Sequence, residues 1–290
     1  MSNSVSTTLK KPFVGAMVAA SLAGATALTG TAPAAAQTLP TPAAPAVAVT
    51  FAGTVALSNC SGSLVRMPNS TDQDNALVLS NGHCLTTGMP EPGEVVLDEP
   101  SSRSFTLLNA SAGRLGTLRA TKVVYATMTD TDVSLYELNT TYASIRSRYG
   151  VNALTVSPDH PTQGADIKVV SGYWKHMYSC SIDGFAYRLH EDEWTFKDSI
   201  RYTAECDTIG GTSGSPVIDT ATGLVVAVNN TSNEDGLQCA LDNPCEVDEN
   251  GVVTVHQGIG YAQQTYLLTQ CFAPGNTLDL TLDGCELPRP

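Results

Sequence analysis

The stretch that decides the fold is CDTIGGTSGSPV, residues 206–217. Its central serine, Ser213, has glycines on both sides, which allow the sharp backbone turn that exposes a hydroxyl. The same turn would direct the amide N–H groups of Gly211 and Ser213 at one point, as in an oxyanion hole, where one donor is typically worth about 10² to 10³ in rate. An ordinary Gly/Ser hairpin loop is the alternative for any short match of this kind. The stretch therefore predicts a nucleophile only if the chain also supplies a base and a carboxylate.

A base is needed because a serine hydroxyl is a poor nucleophile until a histidine takes its proton. Of the five histidines, only His83 follows a strand-like apolar run, ALVL at 76–79, and directly precedes a cysteine. A disulfide from Cys84 to Cys60 would fix the end of that strand and hold the imidazole in place. We therefore predict His83 as the base. The other histidines lie in polar or loop contexts typical of solvated side chains: His160, His176, His190 and His256.

The carboxylate that orients this histidine is predicted to be Asp132. It opens the alternating run VSLYEL at 133–138, whose apolar positions would fix it to a sheet. Asp130 would project from the same side of an extended chain and is the alternative, and a solvated turn is the plainer interpretation of either aspartate. The order His83, Asp132, Ser213 argues against an α/β-hydrolase, in which the serine comes first and the histidine last.

Four segments in this order resemble successive landmarks of the trypsin-like serine peptidases: SGSL at 61–64, LSNGHC at 79–84, TDVSLYEL at 131–138 and GGTSGSPV at 210–217. The form DTxGGxSGSPV resembles most the bacterial glutamyl endopeptidase branch, which includes the staphylococcal V8 protease. The resemblance implies two six-stranded antiparallel β-barrels with the site in the cleft between them. It also implies hydrolysis of peptide bonds through an acyl-enzyme intermediate. A secreted binding protein that has lost catalysis on the same scaffold is the alternative function.

The resemblance gives conflicting indications of specificity. Asp207 lies six residues before Ser213, the spacing of the aspartate that gives trypsin its basic specificity. Thr208 instead matches a pocket threonine of the glutamyl branch, and Asn229 stands where that branch has a pocket histidine. Asparagine cannot neutralise a substrate carboxylate, so the preference stays open. Thr212 replaces the aspartate that pairs with a new N-terminus in animal enzymes, and we expect no such ion pair here.

The rest of the chain fits an all-β fold, because short β-rich runs alternate with Gly, Asn, Asp and Ser turns. We expect an N-terminal barrel over 47–150 and a C-terminal barrel over 151–290. One helical segment is predicted at 141–149. Strands are predicted at 63–66, 76–79, 133–138, 167–170, 224–228 and 259–266.

The N-terminus predicts export. Two lysines, Lys10 and Lys11, precede an apolar run of small residues at 13–28, and Ala34–Ala36 supply an A-x-A cleavage site. We predict a signal peptide at 1–36, cleaved near Ala36, and a Pro/Ala-rich leader at 37–46. A membrane anchor is the alternative, although the run is only weakly hydrophobic. The expected mature protein is secreted, free of the membrane and monomeric.

Eight cysteines in an exported chain predict four disulfides. Sequence order favours Cys60 with Cys84, Cys180 with Cys206, Cys239 with Cys245, and Cys271 with Cys285. No C-x-x-C pair is present, which argues against a zinc site. We expect neither a metal nor another cofactor, and a calcium site among the acidic residues at 234–250, whose spacing does not match an EF-hand, is the alternative. The formal net charge of −13 opposes binding to nucleic acid, and protein or peptide substrates are the expected partners.

Overall fold

Strands dominate residues 47–290, the part of the chain that this computed structural model describes. The predicted signal peptide at 1–36 and leader at 37–46 lie outside the described residues. The first eight strands are β1 Thr54–Ala56, β2 Ser61–Arg66, β3 Asn75–Ser80, β4 Val95–Pro100, β5 Ser104–Leu108, β6 Arg114–Thr127, β7 Val133–Thr141 and β8 Leu154–Thr155.

These strands form a sheet that closes on itself. Six antiparallel strands run in the order β1-β5-β6-β7-β3-β2, and β1 pairs with β2 to complete the ring. Outside the ring, β4 pairs with β6, and β8 pairs with β2 in parallel. Alternate side chains point inward, where Leu64, Val78, Phe105 and Tyr136 are fully buried or nearly so. Closure leaves this sheet without a free edge in the ring.

A second group of strands follows, with bounds β9 Asp166–Ser171, β10 His176–Glu191, β11 Trp194–Tyr202, β12 Pro216–Asp219, β13 Val225–Ser232, β14 Cys245–Val247, β15 Val253–Thr254 and β16 Gly260–Gln264. Here the ring is β11-β16-β13-β12-β9-β10, closed by the pairing of β10 with β11. The strands β14 and β15 extend from β10 outside the ring. The predicted all-β fold with two six-stranded antiparallel barrels is therefore confirmed.

Helices are few in the described residues. Helix α1, Tyr142–Tyr149, begins after Thr141, whose hydroxyl accepts a hydrogen bond from Ser144 N, and ends at Gly150 in the left-handed conformation. Helix α2 spans Tyr266–Thr269, so the strand predicted at 259–266 is shorter than expected and ends at Gln264. The last strands, β17 Phe272–Ala273 and β18 Thr277–Leu278, form a small hairpin. No helix within 47–290 is both long and apolar enough to cross a bilayer.

The largest apolar cluster draws on both barrels. Leu77 and Leu135 come from the first, Val170 and Val228 from the second, and Phe272 from the C-terminal hairpin. All are buried, and such burial stabilises by about 25 cal/mol per Å² of apolar surface. The two barrels therefore share this apolar core, and the loops that leave them beside the cluster are attached to it.

Four disulfides link the pairs that sequence order favours: Cys60–Cys84, Cys180–Cys206, Cys239–Cys245 and Cys271–Cys285. The first ties the residue before β2 to the loop after β3, and the second ties β10 to the loop that carries Ser213. Four bridges fit an oxidising, extracellular type of environment.

Candidate active site

Asp132 lies immediately before β7, next to the loop that follows β3. Ser80 pairs with Ser134, so the residues after one strand lie beside those before the other. The Asp132 side chain is fully buried. Its Oδ1 accepts hydrogen bonds from Gly82 N at 2.6 Å and His83 N at 3.1 Å, which offset the cost of burying the carboxylate. A Cβ at Gly82 would lie 2.3 Å from Thr127 O, so only glycine fits this close approach.

His83 is oriented by the other oxygen of the same carboxylate. Its Nδ1 lies 2.6 Å from Asp132 Oδ2, and one fifth of its side chain remains exposed to the cleft. Among residues 47–290, His83 Nε2 has no hydrogen-bond partner. Burial lowers the pKa of His83, but the charge and hydrogen bond of Asp132, with the charges of Glu191 and Asp242, raise it by more. The net result is a pKa above the usual 6.5.

Ser213 faces the same cleft from the loop before β12. Both Ser213 and His83 line this cleft, as does Asp132 behind the imidazole. In the described part of the chain the Ser213 hydroxyl donates to the carbonyl oxygen of Asn230 at 3.1 Å, not to His83. A hydroxyl changes partner by rotation, and catalytic hydrogen bonds often tighten only when substrate binds. The three predicted residues therefore line one cleft, and the Ser213 hydroxyl is hydrogen-bonded to a backbone carbonyl.

The backbone around Ser213 presents free donors. Gly211 adopts a positive φ of 87°, which favours glycine. Within residues 47–290, neither Gly211 N nor Ser213 N donates a hydrogen bond to another protein group. The next residue is fixed, because Gly214 N donates to Asn229 O at 2.9 Å. Two unpaired amide donors beside the serine hydroxyl can stabilise an oxyanion that forms there.

Comparison with known proteins identifies the family. The sequence matches the trypsin-like peptidase domain over residues 60–228, which is more than half of the chain. The chain belongs to this family. A search of the curated proteins found no significant match.

Solved structures with a related arrangement are distant in sequence. An active-form protease from Mycobacterium tuberculosis is 15% identical, with 79% of this chain and 88% of that chain covered and a TM-score of 0.44. The MamO protease domain from Magnetospirillum magneticum is 14% identical, with 76% and 95% covered and a TM-score of 0.46. A variant of the HtrA-type protease AlgW with a tripeptide is 16% identical, with 77% and 59% covered and a TM-score of 0.47.

The predicted pocket residues of this trypsin-like peptidase separate into two groups. Thr208 and Asn229 are buried and line the cleft, whereas Asp207 is exposed and does not line it. Asn229 is held at both ends of its amide: Tyr202 Oη donates to its Oδ1 at 3.1 Å, and its Nδ2 donates to Thr212 Oγ1 at 3.1 Å. The asparagine therefore braces the loop that carries Ser213, and one N–H and one lone pair of its amide are left over.

A further carboxylate, Glu191, was missed by the sequence reasoning. It ends β10 and lines the cleft with only 7% of its surface exposed. Its Oε1 accepts from Thr231 Oγ1 at 2.8 Å and from Asp242 N at 2.9 Å. Burial raises its pKa to about 7, although these hydrogen bonds and the charge of His83 lower it in part. No sequence signal marked Glu191, because its neighbours come from β13 and the loop before β14.

The alternative carboxylate and a metal site fit less well. Asp130 forms an ion pair with Lys197, is partly exposed and is not among the charges that raise the pKa of His83. Cys60, His83 and Cys84 form the one cluster of metal-ligating side chains in the described part of the chain. The two cysteines are joined to each other, so their sulfurs are not free thiolates.

Proposed function

We propose that this trypsin-like peptidase is a secreted serine endopeptidase that uses Ser213, His83 and Asp132. The observation that carries the proposal is the His83–Asp132 hydrogen bond of 2.6 Å, which faces the cleft that Ser213 also lines. His83 Nε2 takes the Ser213 proton as Oγ attacks the substrate carbonyl, and later gives it to the leaving amine. Asp132 holds the imidazole in the tautomer that leaves Nε2 free, and water then hydrolyses the acyl-enzyme.

The proposed oxyanion hole consists of Gly211 N and Ser213 N. Negative charge forms on the carbonyl oxygen as Ser213 attacks, and two fixed N–H donors lower the energy of that state more than that of the substrate. The unpaired condition of both donors supports this assignment, since neither must break a protein hydrogen bond first.

Independence from N-terminal activation is part of the proposal. The serine loop is braced from inside by Thr212, whose hydroxyl donates to Ile209 O and accepts from Asn229 Nδ2. These contacts supply the support that an N-terminal ion pair gives in animal enzymes. Trimming the chain within 37–46 should leave activity unchanged, and loss of activity on removal of that leader alone would contradict this part.

The charge of the cleft disfavours glutamate as the residue before the cut. Besides Asp132, three carboxylates line it, Glu191, Glu234 and Asp242, and its described lining includes neither lysine nor arginine. An acidic side chain entering this cleft would meet like charge without a compensating cation. We therefore propose that the enzyme cleaves after neutral or basic residues. In this preference it would differ from the glutamyl branch, which the serine motif resembles.

Secretion is supported by the four disulfides and by the signal-like sequence at 1–36, which lies outside the described residues. N-terminal sequencing of the exported protein tests this step. A mature chain that begins after Ala36 is expected, and a retained Met1 would contradict cleavage.

A fluorophosphonate probe separates the peptidase from the alternative, a catalytically silent binding protein. The probe should label Ser213 in the processed protein, as located by peptide mapping, and the His83→Ala variant should stay unlabelled. No label on the folded wild type would favour the binding protein. Cleavage of a peptide library by an unlabelled sample of the same preparation then gives the preferred residue, and dominant cleavage after glutamate would contradict the charge argument.

A further inference from the structure

The exposed turn between β9 and β10 contacts the serine loop through Trp174. Its indole Nε1 donates a hydrogen bond to Gly210 O at 2.8 Å, although about half of the residue is exposed. Trp174 is not among the residues that line the cleft, whereas Gly210 is. The indole therefore contacts the backbone of a cleft residue without lining the cleft itself.

The accepting carbonyl belongs to the same peptide unit as the Gly211 N–H. A trans peptide is planar, with its C=O and N–H pointing in opposite directions. Because the Gly210 carbonyl is directed toward Trp174, the Gly211 N–H is directed away from Trp174. The indole thus determines which end of this peptide can face an oxyanion.

This peptide has little else to hold it. It lies between two glycines, in a turn closed by a hydrogen bond from Thr212 N to Ile209 O at 3.0 Å. Nothing lies within 4 Å of a Cβ built on Gly210, and the aromatic rings of Tyr173 and Trp174 lie beside Gly211. Among residues 47–290, the indole is the one hydrogen-bond partner of Gly210 O, and Gly211 O has a single long contact, from Ser61 Oγ at 3.5 Å. A peptide between glycines can rotate at low cost, and rotation by half a turn would exchange the N–H for a carbonyl oxygen.

The turn that carries Trp174 is itself anchored. Trp174 N donates to Ser171 Oγ at 3.2 Å, and Tyr173 N donates to Ser61 Oγ at 3.1 Å. The two serine hydroxyls lie 3.0 Å apart and are fully buried. Ser61 N in turn donates to Ser213 O at 2.8 Å. The indole is therefore held on the same hydrogen-bond network as the nucleophile.

We propose that Trp174 is a positioning residue, which keeps the Gly210–Gly211 peptide oriented with its N–H toward the oxyanion. The proposal rests on the proposed peptidase function and adds a residue that acts through the backbone. Without the indole donor the peptide populates the rotated state, in which a carbonyl oxygen would repel the developing negative charge. This N–H interacts more strongly with the oxyanion than with the substrate carbonyl, so most of the loss should fall on the transition state.

The test is Trp174→Phe, which keeps an aromatic ring and removes the donor. With a fluorogenic peptide of the best-cleaved sequence, kcat should fall about tenfold to a hundredfold, below the full loss of an oxyanion donor, while KM changes less than about threefold. A boronic acid peptide of that sequence, which forms a tetrahedral adduct on Ser213, should lose affinity by the same factor. Binding of the uncleaved peptide to Ser213→Ala should not change when Trp174→Phe is added.

Tyr173→Phe is the matched control. It changes the neighbouring aromatic residue of the same turn, and the Tyr173 hydroxyl has no hydrogen-bond partner among the described residues. Its kcat should stay within about twofold of wild type. Should Trp174→Phe fail to fold, 3-benzothienylalanine at position 174 removes only the N–H from an isosteric ring, and the same kcat loss is expected.

Failure of the positioning role and failure of the proposed function give different results. An unchanged kcat in Trp174→Phe or in the benzothienyl protein would overturn the positioning role, and so would a loss that falls entirely on KM. Failure of the proposed function has another signature, since the wild type itself would then neither cleave peptides nor accept the fluorophosphonate.

Discussion

Two histidine–aspartate pairs occur in the described structure, and only one has the features of a catalytic pair. In the first, His83 Nδ1 lies 2.6 Å from the buried Asp132. In the second, His160 Nε2 lies 3.0 Å from Asp198, and about two fifths of each side chain is exposed. A hydrogen bond between these residue types is therefore not enough to define a site.

The two pairs differ in whether a ring nitrogen of the histidine remains free of hydrogen bonds. His160 uses both ring nitrogens, because Nδ1 lies 2.7 Å from Pro161 O and Nε2 contacts both Asp198 and Gln264. His83 contacts its aspartate through Nδ1 and keeps Nε2 toward the cleft. The Asp132 carboxylate is also held by two backbone N–H groups, whereas no backbone N–H donates to Asp198 within residues 47–290. A base needs one nitrogen fixed and the other unoccupied.

Removal of each histidine gives the largest expected contrast. His83→Ala should lower kcat/KM on a fluorogenic peptide by a factor on the order of 10⁵ to 10⁶, because the general base is lost. His160→Ala should stay within about twofold of wild type, since its imidazole has no free nitrogen. Equal losses in the two variants would remove the distinction between the pairs.

Replacing each aspartate by asparagine tests how the histidine is oriented, because the histidine itself is unchanged. Asp132→Asn keeps the shape but stabilises the wrong tautomer of His83, and a loss of about 10⁴ in kcat is expected. Asp198→Asn should leave kcat unchanged within about twofold. An Asp132→Asn enzyme with wild-type kcat would show that Asp132 does not orient the base.

The pH profile gives the smallest effect. Since the base must be neutral and the pKa of His83 is raised, kcat/KM should increase with pH and reach half its maximum above pH 6.5. Glu191 contributes to the raised pKa through its negative charge, and it titrates near pH 7 itself. Glu191→Gln should therefore move the midpoint to lower pH, with an effect within about tenfold at any one pH.

Glu234→Gln is the control for this shift. It removes another cleft carboxylate, which is exposed and is not among the charges that raise the pKa of His83. Its midpoint should stay at the wild-type value. A midpoint that moves equally in both variants, or in neither, would exclude a specific effect of Glu191.

Much of the fold followed from local sequence pattern. The apolar run before His83 and the alternating run after Asp132 are strands β3 and β7, because a short continuous apolar run and an alternating run are both typical of buried strands. Strand β10, at 16 residues, was not predicted, because its exposed and buried positions do not alternate regularly. A strand that bends around a barrel loses the simple period on which such a prediction depends.

The site was predictable where one segment carries the chemistry, and not where several segments meet. Asp207 looked suitable by its spacing to Ser213, yet the chain there alternates, with Cys206 and Thr208 buried and Asp207 exposed between them. Glu191 and Trp174 reach the site only through tertiary structure, from opposite ends of β10. Sequence spacing cannot report such contacts, since they depend on how the second barrel closes.

The Cys60–Cys84 disulfide can report how often the first barrel opens locally. Both residues are almost fully buried, so an external thiolate can attack the sulfurs only when the barrel opens locally. His83 is the neighbour of Cys84 in the chain, so a reduced bridge releases the loop that carries the imidazole. In a reducing medium, the rate at which Cys60 and Cys84 become alkylated, read by peptide mapping, should therefore measure how often the two segments that carry them separate. Loss of activity would also follow from reduction of the less buried Cys180–Cys206 bridge.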